Sequence, residues 1–200
     1  MRMMSRVSVA ASVMAILMSA SHASAQKTET IEGGRTTVAL AAGFLSALES
    51  LDVTPGTVAP TRLHNGTVNF PVIGGAIDRE TAVSQILHSG GLTLIAGKTA
   101  VTLQSFIIDT TSSPMITGLV SVDGKLLGRL PLFDFALPSG ITRPLKLHDN
   151  RILLRGVAVT LDSAAAEALN SVFHVSAFQG GFNIGTAKVA VDLGGRDDED

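Results

Sequence analysis

Apolar and polar residues alternate along most of this chain, which is the pattern of strands that are buried on one side. Val157, Val159 and Leu161 are separated by small or polar residues, so one face of that extended segment is apolar. Turn signals interrupt the alternation, and Asn65-Gly66 and Asp123-Gly124 both suit the positive φ angles of a two-residue hairpin turn. The pattern predicts about ten closely spaced strands. They cover residues 60–64, 67–72, 82–88, 92–96, 99–109, 115–122, 125–135, 145–147, 152–161 and 184–193.

Two segments, 37–51 and 157–172, depart from the alternation, and each predicts a strand that leads into a helix of about ten residues. Asp162 or Ser163 suits the N-cap of the second helix, because its side-chain oxygen can accept a hydrogen bond from a free backbone N–H. The two segments align with identities that are compatible with an internal repeat or with chance. Identical pairs include Leu40 with Leu161, Ala47 with Ala168, Leu48 with Leu169 and Ser50 with Ser171. In either case we expect Leu48 and Leu169 to face the core and the helices to close the two ends of the fold.

Close strands with no long helices between them favour a mainly β fold, an antiparallel β-sandwich or flattened barrel with two short helices. We expect one such domain over residues 35–193. A signal peptide at 1–25 and a linker at 26–34 precede it, and a disordered acidic tail at 194–200 follows it.

The first residues have the composition of a secretory signal. Arg2 and Arg6 give a positive start, residues 7–19 form an uncharged apolar stretch, and 23–25 supply the small residues of a cleavage site. The sequence therefore predicts export to the periplasm or the outside of the cell. No later run is long and apolar enough to predict a membrane span after the signal is removed.

Composition argues against several kinds of partner. The chain has 15 basic and 17 acidic residues, with two of the bases in the signal and four of the acids at 197–200, so the body between them is neutral. A neutral body lacks the overall charge that nucleic acid or an anionic membrane attracts. Cys, Trp and Tyr are absent, which removes disulfides, thiolate chemistry and most of the aromatic surface used for stacking.

No catalytic motif is complete. Gly97-Lys98-Thr99 lacks the earlier glycine of a phosphate-binding loop and lies between two predicted strands, so it predicts a hairpin turn. No G-x-S-x-G elbow is present, and the four His of the mature chain do not have the spacing of a zinc site. A hydrolase built from scattered acids such as Asp78, Asp109, Asp134 and Asp162 stays open, but the sequence favours a protein that is not an enzyme and has no metal site.

One His stands out because of its neighbours. In residues 83–92, a strand ends at His88, Gly90 and Gly91 make a turn, and a Leu-containing strand follows. This segment resembles the Htaa-type haem-uptake domains of secreted bacterial proteins, loosely over residues 71–109. The resemblance implies a β-rich exported fold, haem as a ligand, and His88, Gly90 and Gly91 as ligand-binding residues. In that family an iron-ligating Tyr works with the His, whereas this chain has no Tyr.

Two functions follow from these observations. The first is an exported, non-enzymatic interaction or structural module without a cofactor, whose partner is a protein or a component of the cell envelope. The alternative is a carrier for haem or another apolar small ligand. In both, the other His are expected at the surface: His64 and His148 beside hairpin turns, and His174 at the end of the second helix.

Overall fold

A computed structural model of the protein describes residues 28–194. The predicted signal peptide and residues 195–200 of the predicted tail lie outside this range. The described chain forms one sheet of twelve strands and two helices, which confirms the mainly β prediction. The strands are β1 (Thr28–Leu40), β2 (Thr54–Val58), β3 (Arg62–His64), β4 (Thr67–Asp78), β5 (Ser84–His88), β6 (Gly91–Ala96), β7 (Thr99–Asp109), β8 (Met115–Val122), β9 (Lys125–Ala136), β10 (Leu147–His148), β11 (Arg151–Leu161) and β12 (Asn183–Leu193). The helices are α1 (Ala42–Ser50) and α2 (Ser163–Phe173).

Eight of the strands close into an antiparallel barrel. Each pairs with the next in the order β1, β4, β5, β7, β8, β9, β11 and β12, and β12 pairs with β1 to complete the ring. The other four extend it: β6 pairs with β7 and β2 with β6, while β3 pairs with β4 and β10 with β11. Closure leaves no free edge within the ring, and it encloses the alternate, inward-facing side chains.

The tight turns lie where the sequence predicts them. Asn65 and Gly66 connect β3 to β4, and Asp123 and Gly124 connect β8 to β9, all four with positive φ. Such turns match the twist of the flanking strands, so they fix the register of each hairpin. The turn at 97–98 is also a hairpin turn, as predicted, and it joins β6 to β7.

The prediction of a linker at 26–34 is wrong from Thr28 onwards, because these residues form the first half of β1. They pair with β12 on one side and with β4 on the other. Gly33 and Gly34 suggest a flexible segment, but Gly34 pairs with both β12 and β4. A Cβ at Gly34 would lie 2.2 Å from the carbonyl oxygen of Ala190, so only glycine lets the two backbones approach this closely.

Both helices lie at the same end of the barrel, which we call the helix end. Leu40, just before α1, pairs with Gly185, and Thr160, just before α2, pairs with Asn183, so both helices follow strands that flank the start of β12. The expectation that they close opposite ends was wrong. The helices share one end because β1 and β11 are both antiparallel to β12 and therefore run parallel to each other. A sequence pattern does not reveal which strands are neighbours.

Each helix begins as its sequence allows. The Asp162 side chain accepts hydrogen bonds from the backbone N–H groups of Ala164 and Ala165, which confirms it as the N-cap of α2. His174 ends α2 in the left-handed conformation, as expected for a residue at the helix end. Ala41, which precedes α1, makes no side-chain cap.

Two clusters of buried apolar side chains form the core of the barrel. Leu48, Val68 and Leu161 belong to a buried cluster near the helices, while Ile152 and Val191 belong to a second cluster at the opposite end, which we call the far end. All are at most 3% exposed. The expectation that Leu48 faces the core is therefore confirmed, whereas Leu169 is only partly buried and packs at the margin of the first cluster.

Candidate ligand-binding cavity

The barrel interior contains a cavity of about 90 Å³. Its lining comes from inward-facing side chains of most barrel strands, and all of it is apolar except for four residues: Thr36, Ser84, His88 and Thr110. Ser84 and Thr110 hydrogen-bond to each other, since the backbone N–H of Ser84 donates to the Thr110 hydroxyl at 2.6 Å. The polar chemistry that remains in the cavity belongs to Thr36 and His88.

His88 points into the barrel because of its position in β5. Ser84, Ile86 and His88 alternate with exposed residues, so the three side chains share the inner face of the strand. His88 is 3% exposed. It thus ends a strand beside a turn, as the sequence indicates, but its imidazole lies in the interior of the protein.

The His88 imidazole has one hydrogen-bond partner and one free nitrogen. Its Nε2 lies 2.8 Å from the Thr36 hydroxyl, while Nδ1 is buried and no group meets hydrogen-bond geometry with it. Burial lowers the pKa of His88 from 6.5 to about 4, an effect that backbone groups of Phe106 and Ile86 oppose only in part. The imidazole is therefore neutral at pH 7.

A second cavity, of about 160 Å³, opens at the helix end, and we call it the helix-end groove. Ala168, Leu169 and Val172 of α2 form one wall, and Leu127 and Leu130 of β9 contribute to the other. Every side chain that lines it is apolar. Leu127 is 53% exposed and Leu130 is 37% exposed, so the mouth of the groove offers large apolar side chains to solvent.

The helix-end groove and the barrel cavity adjoin. Five residues line both, and they lie between α1, α2 and the inner faces of the strands: Leu40, Val68, Leu92, Phe133 and Ile184. The two cavities are therefore adjacent, and apolar side chains stand between the groove and the interior that contains His88.

The two glycines that the sequence places beside His88 have packing roles. A Cβ at Gly91 would lie 2.1 Å from the carbonyl oxygen of Leu103, and one at Gly90 would lie 2.4 Å from the Thr61 hydroxyl. Gly90 also has φ of +77°, which L side chains rarely adopt. These glycines let the turn between β5 and β6 approach its neighbours, and neither lines the barrel cavity or the groove.

Asp78 and Asp109, two of the scattered acids, form hydrogen bonds within their own turns. Asp78 accepts hydrogen bonds from the N–H groups of Glu80 and Thr81, and Asp109 is bonded to Thr111, whose side chain lowers the Asp109 pKa. Among residues 28–194, no group of three or more His, Cys, Asp or Glu side chains is placed to hold a metal ion. Within the same range, no helix is long and apolar enough to cross a membrane.

The sequence contains a signal for this site in the polar residues at inward positions of two strands. Thr36, Val38 and Leu40 alternate on one face of β1, as Ser84, Ile86 and His88 do in β5, so each polar residue occupies an inward position. A polar residue at an inward strand position is rare, and it marks either a buried hydrogen bond or a ligand contact. The sequence contains no such signal for the helix-end groove, because the groove forms where α2 packs beside β9.

The fold is that of the HtaA domains of Corynebacterium glutamicum. The solved C-terminal domain has a TM-score of 0.62 at 15% identity, and the match covers 83% of this chain and 99% of that domain. The N-terminal domain has a TM-score of 0.60 at 10% identity, covering 82% and 99%. A domain-swapped dimeric variant of the C-terminal domain gives 0.54 at 15% identity, covering 76% and 92%.

These comparisons confirm the predicted resemblance to Htaa-type domains at the level of structure. No protein-family model and no curated protein matches the sequence. At such low identity the likeness establishes the fold, while the chemistry of the cavity has to be derived from this chain's own side chains.

Proposed function

We propose that this protein is an exported, non-enzymatic carrier that holds a small apolar molecule in the helix-end groove and the adjoining barrel interior. The observation that carries the proposal is the continuous apolar lining of these two cavities, with Leu127 and Leu130 exposed at the mouth. Ligand sites of this kind are concave and mostly apolar, with few polar groups that fix orientation. Export is supported by the composition of residues 1–25.

The lining selects an uncharged ligand. No charged side chain lines either cavity, and His88 is neutral at pH 7 because its pKa is about 4. A charged group brought into such surroundings would lose its hydration without gaining an ion-pair partner. The polar side chains of the barrel cavity are few, and Thr36 and His88 among them are bonded to each other.

The size of the cavities limits the ligand further. An apolar protein cavity of about 150 Å³ takes a benzene-sized molecule, and the groove measures about 160 Å³. The site therefore suits a compact ring or a short alkyl chain, with room to extend towards the barrel cavity of about 90 Å³.

Haem, which the resemblance to Htaa-type domains implies, does not fit the residues present. The chain has neither Tyr nor Cys, and the groove lining carries no nitrogen, oxygen or sulfur side chain that could ligate iron. His88 lies in a cavity far below the roughly 300–1,000 Å³ of a site for a large ligand, and its Nε2 already contacts Thr36. We therefore assign no iron-ligating role to His88.

Indole, a compact neutral fluorophore, tests the proposal on the mature protein, which has no Trp or Tyr emission of its own. A saturable blue shift of the indole emission is expected. Ala168→Phe, which places a ring in the groove, is expected to weaken binding by about tenfold or more, since it removes apolar contact area from the ligand. Glu167→Phe is the matched control, because Glu167 is exposed on the same helix and does not line the groove.

The outcomes separate the candidate functions. Binding that Ala168→Phe weakens and Glu167→Phe leaves within about twofold supports the carrier. Absence of saturable probe binding contradicts it and favours an interaction module for a protein or a cell-envelope component. A haem titration adds a third result: an intense visible absorption band that His88→Ala abolishes would replace the apolar ligand with haem.

A further inference from the structure

A third cavity, of about 300 Å³, lies at the far end of the barrel, away from the two helices. Its floor is the start of β11, at residues 152–155, and its wall is the connection between β9 and β10. We call it the far-end pocket. It shares no lining residue with the helix-end groove, whereas Leu145, Ile152 and Leu154 line both this pocket and the barrel cavity.

The wall of the far-end pocket is anchored to the core. Leu145 is 3% exposed and packs in the buried cluster of the far end, together with Ile141. The backbone N–H of Leu145 donates to the carbonyl oxygen of Arg79 at 2.9 Å, which ties the segment to the turn after β4. The pocket therefore has a packed base, although the side chains at its rim are exposed.

Three basic side chains line this pocket. Lys146 and His148 lie two residues apart in an extended segment around the buried Leu145 and half-buried Leu147, so both point outwards on the same face. Arg155 comes from β11, at an irregularity in its pairing with β12. Lys188, exposed on β12, lies opposite that irregularity.

No acidic residue lines the far-end pocket. Asp149 lies in the turn after His148, and Asp192 is paired with Arg151 at 2.5 Å. Hydroxyl groups of Ser139 and Thr142 add neutral donors to the lining. A body of neutral overall charge thus has a pocket whose charged lining residues, Lys146 and Arg155, are both basic.

We propose that the far-end pocket binds a phosphate group of a small soluble molecule. A guanidinium, an ammonium, an imidazole and two hydroxyls offer more donors than a carboxylate can accept, whereas the oxygens of a phosphate can use them together. Arg155 supplies a planar fork for two oxygens, and Lys146 supplies a point charge. The cavity of about 300 Å³ leaves space for an organic group attached to the phosphate.

Calorimetric titration of the mature protein with pyrophosphate, at constant ionic strength, tests this site. Saturable binding is expected, and Arg155→Gln and Lys146→Gln are each expected to weaken it by about tenfold or more. Lys98→Gln is the control, because Lys98 is an exposed cation in the β6–β7 turn and removes the same unit charge. Its affinity is expected to stay within about twofold of the unaltered protein.

Three results would overturn the proposal. They are absence of saturable pyrophosphate binding, equal weakening by Lys98→Gln, and binding confined to phosphatidylglycerol vesicles in a sedimentation assay. The last result would assign the basic residues to a lipid surface. Melting temperatures of the variants show that they are folded, and because residues 146 and 155 are exposed, no large change is expected. A negative pyrophosphate result would not contradict the proposed apolar carrier, since the fluorescent-probe titration tests the groove at the other end of the barrel.

Discussion

The Nε2 of His88 lies 2.8 Å from the hydroxyl of Thr36, although the residues are 52 positions apart in the chain. The contact joins β5 to β1 inside the barrel, across the intervening strand β4. Both residues are buried, so the hydrogen bond is shielded from water and each partner depends on the other.

Thr36→Val should destabilise the protein by about 1–3 kcal/mol. The substitution keeps the shape of the side chain but leaves Nε2 of a buried imidazole without its partner, in addition to the free Nδ1. Urea unfolding, followed by circular dichroism, measures the change in the free energy of unfolding.

Thr37→Val is the control for this experiment. Thr37 is next in sequence, faces the other side of β1, and donates to the Asn69 side chain at 2.9 Å in a partly exposed position. Its loss should cost less than about 1 kcal/mol. An effect of Thr37→Val as large as that of Thr36→Val would contradict a special role for the buried pair.

Stability should fall as the pH is lowered from about 6.5 to about 4. The folded protein holds the pKa of His88 at about 4, whereas the unfolded chain has the ordinary value of 6.5, so protons bind preferentially to the unfolded state in this window. The loss between pH 7 and pH 5 should be roughly 2 kcal/mol from this group. His88→Leu should remove that slope, and His64→Gln, an exposed histidine, should retain it. A slope that survives in His88→Leu would assign it to other groups.

Gly91→Ala should be strongly destabilising, in the range of about 2 kcal/mol or more. Its Cβ would lie 2.1 Å from the Leu103 carbonyl oxygen, which is backbone and cannot move aside cheaply. Gly43→Ala provides the contrast: nothing lies within 4 Å of its Cβ in α1, and Ala favours helix by about 0.5–1 kcal/mol. Thermal melting of both variants checks the pair, and equal effects would argue against the close approach at residue 91.

Leu48→Ala should cost about 2–5 kcal/mol, the range for a fully buried Leu, and Leu169→Ala should cost less. Leu48 is 1% exposed, whereas Leu169 lines the helix-end groove and is partly exposed. Glu167→Ala, on the exposed side of α2, should change stability by less than about 0.5 kcal/mol. If Leu169→Ala destabilised the protein more than Leu48→Ala, the groove would be closed in solution.

The strands and hairpins were predictable because their signals are local. Alternation sets which side chains face inwards, and pairs such as Asn65-Gly66 determine where the chain reverses. The N-cap at Asp162 was predictable for the same reason, since the cap involves groups only two and three residues away.

Features that depend on strand neighbours were not predictable. The pairing of both β1 and β11 with β12 places the two helices at one end, and nothing in either segment specifies that partner. The linker prediction failed similarly, because Gly34 is required by the backbone of β12, which is distant in sequence. For the candidate site, the inward position of His88 could be read from β5, but its bond to Thr36 and the groove beside α2 could not.

Methyl NMR spectra of the mature protein, recorded during titration with indole, show whether an apolar molecule occupies the helix-end groove, because an aromatic ring shifts the signals of methyl groups that it contacts. Saturable shifts are expected for Leu169, Val172 and Ile184, which line the groove, and unchanged signals for the exposed Ile73 and Ile95. Shifts confined to Ile73 and Ile95, or no saturable shift, would show that the groove does not bind an apolar molecule.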